Sequence, residues 1–109
     1  MSTIYTSRFQ DYYLIMIKII ENDIFRSREK IGYIRGNDIW EVGGNKIGYY
    51  IGDDIYNYKG VKIGYVENNY IKYENGNRKI SLQETKNHVV GGTIPDICRV
   101  AIKLLFGDN

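Results

Sequence analysis

Hydrophobic and polar positions in the middle of this chain recur every sixteen residues. Residues 30–45, 46–61 and 62–77 each open on Lys-Ile-Gly-Tyr, headed by Lys30, Lys46 and Lys62. In each copy an isoleucine follows eight residues after the first (Ile39, Ile55, Ile71) and a glycine closes the unit (Gly44, Gly60, Gly76). Within a copy, short runs of alternating apolar and polar residues predict two strands joined by a polar turn. In the first full copy the strands fall at 30–34 and 38–42. Their turns are Arg35-Gly36-Asn37 and Gly43-Gly44-Asn45. The later copies turn at Ile51-Gly52-Asp53, Lys59-Gly60, Glu67-Asn68-Asn69 and Asn75-Gly76-Asn77. Glycine and asparagine tolerate the positive φ that tight hairpin turns require. Asn22-Asp23-Ile24-Phe25 matches Asn37-Asp38-Ile39-Trp40, with one residue fewer before the next Lys-Ile. Residues 18–29 therefore read as a degenerate first copy with a trimmed second turn, since terminal copies diverge.

Strict alternation puts Ile31 and Tyr33 on one face of the first strand, and Gly32 and Ile34 on the other. It pairs Trp40 with Val42 and Tyr56 with Tyr58. The third copy departs from this, with Tyr70 and Lys72 on that face and Ile71 with Tyr73 opposite. Glycine inside a strand is unfavourable, so its recurrence at Gly32, Gly48 and Gly64 calls for a close backbone approach or room for an aromatic ring laid across from the adjoining strand. Before the repeats, residues 1–11 read as a polar lead-in with Ile4, Tyr5 and Phe9 as contacts. Residues 14–20 read as a strand, or as the end of a short helix running into one. After Ile80 the repeat fades into a polar, irregular stretch at 81–87. A helix over 93–106 follows, with Pro95 and Asp96 in its first turn and Gly107 at its stop. Ile97, Val100, Ala101, Leu104 and Leu105 form its apolar stripe, with Lys103 pointing elsewhere. The stripe suits docking on the chain's own sheet, or alternatively a dimer surface. The expected fold is mainly β with one C-terminal α-helix, in a single domain spanning 1–109.

The heads Lys30-Ile31-Gly32-Tyr33, Lys46-Ile47-Gly48-Tyr49 and Lys62-Ile63-Gly64-Tyr65, each followed by an Asp-Ile-aromatic group or its variant, resemble the small bacterial four-fold β-flower proteins. The matching rhythm is Gly32-Tyr33-Ile34, Ile39-Trp40 and Gly44, then Gly48-Tyr49-Tyr50, Ile55-Tyr56 and Gly60. The third copy matches at Gly64-Tyr65-Val66, Ile71 and Gly76, but has Lys72 where an aromatic is expected. The resemblance covers about residues 18–80. It implies repeated short β-hairpins around a pseudo-four-fold axis, one per repeat, and it brings no activity, cofactor or catalytic residue. The sequence also accommodates an open β-meander repeat.

Charge adds little. Fifteen basic and thirteen acidic side chains are interspersed, for a net +2, which gives no strong nucleic-acid signal. The most basic stretch, Arg26-Ser27-Arg28-Glu29-Lys30, suits a solvated turn better than a phosphate patch. A single cysteine, Cys98, precludes an intrachain disulfide and favours a reducing compartment, so the expected localisation is cytoplasmic. The apolar run 12–17 is interrupted by Lys18 and is too short for a transmembrane segment.

Catalytic constellations are sparse. Cys98 and His88 would serve nucleophilic chemistry if brought together, but a lone cysteine among Ile97, Val100 and Ala101 is more commonly buried. Asp38, Glu41, Asp53, Asp54 and Glu67 sit at turn or solvent positions, without the spacing of a calcium loop or a paired-acid site. Gly43-Gly44-Asn45-Lys46 reads as a hairpin turn, not a phosphate cradle. No cofactor, metal ligand or catalytic residue is assigned. The aromatics carry most weight: Tyr33, Tyr49 and Tyr65 recur in register, and Trp40, Tyr56 and Tyr58 form a second set. Packing in a core or interface is the favoured role, ahead of an exposed stacking platform. The expected function is non-enzymatic, a binding or assembly module with a turn cluster or the helix as contact surface and a protein or a second copy as partner. The alternatives are glycan or cell-envelope binding through exposed aromatics, and a small enzyme or effector with its site in the C-terminal region.

Overall fold

The computed structural model describes residues 16–74 and 79–107. The lead-in contacts Ile4, Tyr5 and Phe9, and the Asn75-Gly76-Asn77 turn, lie outside the described residues. Ten strands form one sheet: β1 Ile17–Ile20, β2 Asp23–Arg26, β3 Glu29–Arg35, β4 Asp38–Glu41, β5 Lys46–Ile51, β6 Asp54–Asn57, β7 Lys62–Glu67, β8 Tyr70–Tyr73, β9 Lys79–Ser81 and β10 Val89–Val90. Strands β1 to β9 pair in sequence order, all antiparallel, and β10 returns to lie parallel to β1. Among the described residues two helices follow, α1 Leu82–His88 and α2 Asp96–Leu105. The fold is mainly β with a C-terminal helix, as the pattern predicts. No helix among the described residues is long and apolar enough to cross a membrane.

Four hairpins carry the repeat, with the degenerate first copy in register. Ile19↔Ile24, Ile34↔Ile39, Tyr50↔Ile55 and Val66↔Ile71 face each other at equivalent places. Each hairpin closes on a two-residue turn. Gly36 and Gly52 supply positive φ at the first turn residue, while Asn68 and Asn69 both adopt it. Ser27 and Arg28 also both adopt positive φ (52° and 71°), which makes the shortened first connection a tight turn without glycine. One inter-hairpin bond recurs with donors sixteen residues apart, from the amides of Ile34, Tyr50, Val66 and Leu82 to the carbonyls of Asn22, Asn37, Asp53 and Asn69. The repeat thus extends through β9 and ends where α1 begins.

Strict alternation fails at one place in every full copy. Ile24 pairs with Gly32 and Phe25 with Lys30; Ile39 with Gly48 and Trp40 with Lys46; Ile55 with Gly64 and Tyr56 with Lys62. Ile31, Ile47 and Ile63 are therefore bulged residues, one extra on each strand. The bulge turns these isoleucines onto the core instead of sharing a face with Tyr33, Tyr49 and Tyr65. It also brings the preceding lysine to the tyrosine's side. The third copy keeps the common register, because Ile71 stands where Ile39 and Ile55 do and is equally buried. Val42 and Tyr58 lie beyond the ends of β4 and β6, in exposed loops.

The core lies between the inner face of the sheet and α2. Ile17, Ile19, Ile24, Ile34, Ile39, Tyr50, Ile55 and Ile71 from the sheet meet Cys98, Val100, Ala101 and Ile102 of the helix. The three strand glycines explain how the helix comes so close. A Cβ on Gly32 would overlap the Trp40 carbonyl and lie 2.5 Å from the Phe106 ring; one on Gly48 would overlap the Tyr56 carbonyl and lie 2.7 Å from Leu105; one on Gly64 would lie 2.9 Å from Leu104. Close backbone approach holds as expected, whereas the bulk admitted comes from the end of α2 and not from an aromatic ring on the adjoining strand. Ile17 in β1 and Ile80 in β9 hold the corresponding places at the two ends of the run.

The helix stripe is wider than its periodicity predicts. Cys98, Val100, Ala101, Ile102 and Lys103 are all buried, and Lys103 does not point away from the stripe. Helix α1, β10 and strands β5 and β7 all pack against α2, so more of it is covered than an ordinary one-sided stripe. Arg26 donates to the Phe106 carbonyl at 2.8 Å, closing the helix end onto β2. The stretch 81–87, expected to be irregular, is largely helical as α1. Ser81 caps it by accepting from the Glu84 amide at 3.0 Å, and the Ser-x-x-Glu spacing is a helix-start signal.

Candidate functional site

The outer face of the sheet bears the recurrent aromatics. Tyr33 and Trp40 face each other across β3 and β4, with ring centroids 6.0 Å apart and planes 3° from parallel. Tyr49 and Tyr56 repeat the arrangement across β5 and β6 at 5.1 Å and 11°. Tyr65 faces Lys72 in the next hairpin. These rings are half-buried, outside the core around α2. Tyr58 does not join them: it is 65% exposed in the loop after β6, with the Lys59 ammonium near its ring.

Each bulge delivers a lysine to a tyrosine ring. Lys30, Lys46 and Lys62 lie 5.6, 4.8 and 4.6 Å from the centroids of Tyr33, Tyr49 and Tyr65. The same lysines pair with Asp23, Asp38 and Asp54, each at 3.1 Å. Hydrogen bonding to Asp54 raises the Lys62 pKa. At the end of the series, Lys72 pairs with Glu67, which raises the lysine and lowers the carboxylate. Arg35 covers Tyr33 and Trp40 at 5.6 and 5.8 Å. The outer face is thus a run of rungs, two of them aromatic pairs and the next Tyr65 against Lys72, with lysine–carboxylate pairs beside them. Successive rungs stand two strands apart, roughly 10 Å.

Four of the five acids considered for metal or acid–base chemistry, Asp38, Glu41, Asp54 and Glu67, have structural partners here. Asp38 and Asp54 belong to the ion pairs. Glu41 and Asn57, at equivalent places, brace the loops that follow: Glu41 accepts from the Asn45 side chain at 3.1 Å, and Asn57 accepts from the Lys59 and Val61 amides at 2.8 and 3.1 Å. Gly43 and Gly44 are hairpin-loop residues, and Gly44 has φ of 97°. No group of three or more metal-ligating side chains converges among the described residues.

Cys98 and His88 are not brought together. Cys98 is 1% exposed and interacts with the Tyr50 hydroxyl, and burial pushes its thiol up to about 11. Tyr50 is itself pushed up to about 12, by burial first and by Cys98 second. Neither group ionises near neutrality, so Cys98 lacks the thiolate that nucleophilic chemistry needs. His88, at the end of α1, places Nδ1 3.1 Å from the Lys103 ammonium. Burial, then the lysine charge, lowers its pKa.

Two features escaped the alternation pattern. Val42, Tyr58 and Val61 are 56%, 65% and 55% exposed on successive loops along one rim of the sheet. At the first hairpin, Met16, Lys18, Ile20, Phe25, Ser27 and Arg28 line a hollow of about 360 Å³. The missing Tyr at Lys18 was the available sequence signal for the hollow. Comparison of the chain with protein-family models, curated proteins and solved structures finds no match.

Proposed function

We propose that this protein is a non-enzymatic binding or assembly module, a scaffold of hairpins that presents its loop rim to a protein partner, in the first instance a second copy. The observation that carries this is the exposed apolar set Val42, Tyr58 and Val61, repeated on consecutive loops. Recurrent exposed apolar groups on a rigid scaffold favour association. The alternative use of α2 as contact surface has little support, because the helix is covered by the sheet.

The reading includes the β-flower arrangement, hairpins set around an axis with α2 along it. Its support comes from Leu104, Leu105 and Phe106, which approach Gly64, Gly48 and Gly32 on three successive hairpins. Consecutive helix residues point about 100° apart, so hairpins met by consecutive residues are stepped around the helix by a comparable angle.

Sedimentation velocity over a concentration series tests the assembly reading. The wild-type chain associates reversibly, and the double variant Val42→Asp/Tyr58→Asp remains monomeric with an unchanged circular dichroism spectrum. A wild-type chain that stays monomeric to its solubility limit overturns it. Glycan binding has weaker support, because the ring faces are engaged by one another and by Lys and Arg. A C-terminal catalytic site is weaker still, given the buried, protonated Cys98.

A further inference from the structure

The first hairpin differs from the second and third in one respect that matters chemically. At the outward cross-strand position, the second and third hairpins place Tyr33 against Trp40 and Tyr49 against Tyr56. The first places Lys18 against Phe25. Phe25 therefore has no aromatic partner on β1, and the hollow of about 360 Å³ lies here, with Phe25, Met16 and Ile20 as its apolar lining. Small-molecule sites commonly start at about this size and join apolar walls to a few polar groups.

The charged groups at this hollow are of one sign. Lys18 and Arg28 line it, and neither has an ion-pair partner among the described residues. The lysine–carboxylate pairs of the series, Asp23–Lys30 at the first hairpin included, involve neither of these two cations. Ser27 also lines the hollow, and its hydroxyl oxygen is buried without a hydrogen-bond partner. The turn that presents Ser27 and Arg28 holds both at positive φ without glycine. Such backbone is unfavourable for these residue types and gathers at functional sites.

We infer that the hollow on the first hairpin binds a small planar aromatic carboxylate. The ring takes the place of the absent rung partner against Phe25. The carboxylate accepts from the Ser27 hydroxyl and lies between the Lys18 ammonium and the Arg28 guanidinium. This deepens the reading of the protein as a binding module, but uses a surface separate from Val42 and Tyr58.

Isothermal titration of the full chain with naphthoate tests the site, with naphthalenemethanol as the neutral analogue of the same shape. Naphthoate binds in a one-to-one ratio, and naphthalenemethanol binds about tenfold more weakly because the charge-assisted bonds are lost. Lys18→Gln and Arg28→Gln each weaken naphthoate binding by about threefold while leaving naphthalenemethanol unchanged. Both are exposed side chains, so the fold tolerates the changes. Equal affinity for the two compounds, unchanged naphthoate affinity in the Lys18→Gln/Arg28→Gln double variant, or no heat from either compound overturns the assignment. Titrating the Val42→Asp/Tyr58→Asp variant separates the two readings. Its naphthoate affinity equals that of the wild type if the site is independent of assembly.

Discussion

At the scale of single residues, the decisive positions are the three strand glycines. Each marks where a side chain from the end of α2 presses onto backbone, so each tolerates no larger residue. Gly48→Ala would drive a Cβ into the Tyr56 carbonyl and to 2.7 Å from Leu105. Overpacking of this kind costs about 1–3 kcal/mol, seen as a lower urea midpoint. Adding Leu105→Ala relieves the side-chain part of the overlap but not the carbonyl part. The double variant is therefore less destabilised than the sum of the singles, as expected for residues in contact. Gly52→Ala, in an open turn at φ of 60°, carries only the backbone penalty of about 1–2 kcal/mol, and removing Leu105 does not change it. The sequence exposed these glycines by their recurrence, but did not say what approaches them. That depends on a helix some forty to seventy residues further along the chain.

At the scale of elements, the two-strand unit and the C-terminal helix were legible because each obeys a local period. The hairpin turns follow from Gly and Asn at fixed offsets, and α2 from its three-and-four spacing. The bulges were not legible. Lys-Ile-Gly-Tyr looks like ordinary alternation, and only pairing with the previous strand shows that the isoleucine has no opposite residue. Helix α1 was within reach, since Ser81 and Glu84 stand at capping-box spacing, but its polar composition offers no apolar stripe. Its short length makes the cap important. Ser81→Ala should lower stability by about 1 kcal/mol, measured by urea unfolding. Amide exchange should speed up most within α1, while the hairpins keep their protection.

At the scale of the whole molecule, the contact of His88 with Lys103 ties α1 to α2 and makes stability depend on pH. Burial and the lysine charge hold the His88 pKa below its ordinary 6.5 in the folded protein, partly opposed by Glu84. The unfolded chain therefore takes up this proton at a higher pH than the native chain does. Stability contributed at neutral pH declines as the pH falls below 6.5, until the native imidazole protonates as well. Urea midpoints from neutral to mildly acidic pH should show this decline, and His88→Gln should make it shallower across the same window. An unchanged slope in that variant would assign the pH dependence to other groups, Glu67 among them, since its ion pair with Lys72 acts in the same direction.

By itself the sequence determined the hairpin unit, its register in four copies, the helix that follows, and the identity of the recurrent aromatics. All of these are set by spacing within a few residues, where sterics and side-chain alternation act directly. Only the tertiary structure decided which way each face looks. It turned the bulged isoleucines inward, left the aromatic rungs half-buried outside, closed Cys98 away from reaction, and opened a hollow where the first hairpin lacks a ring. Those outcomes depend on contacts between distant parts of the chain, and burial there, rather than residue type, fixes what each group can do.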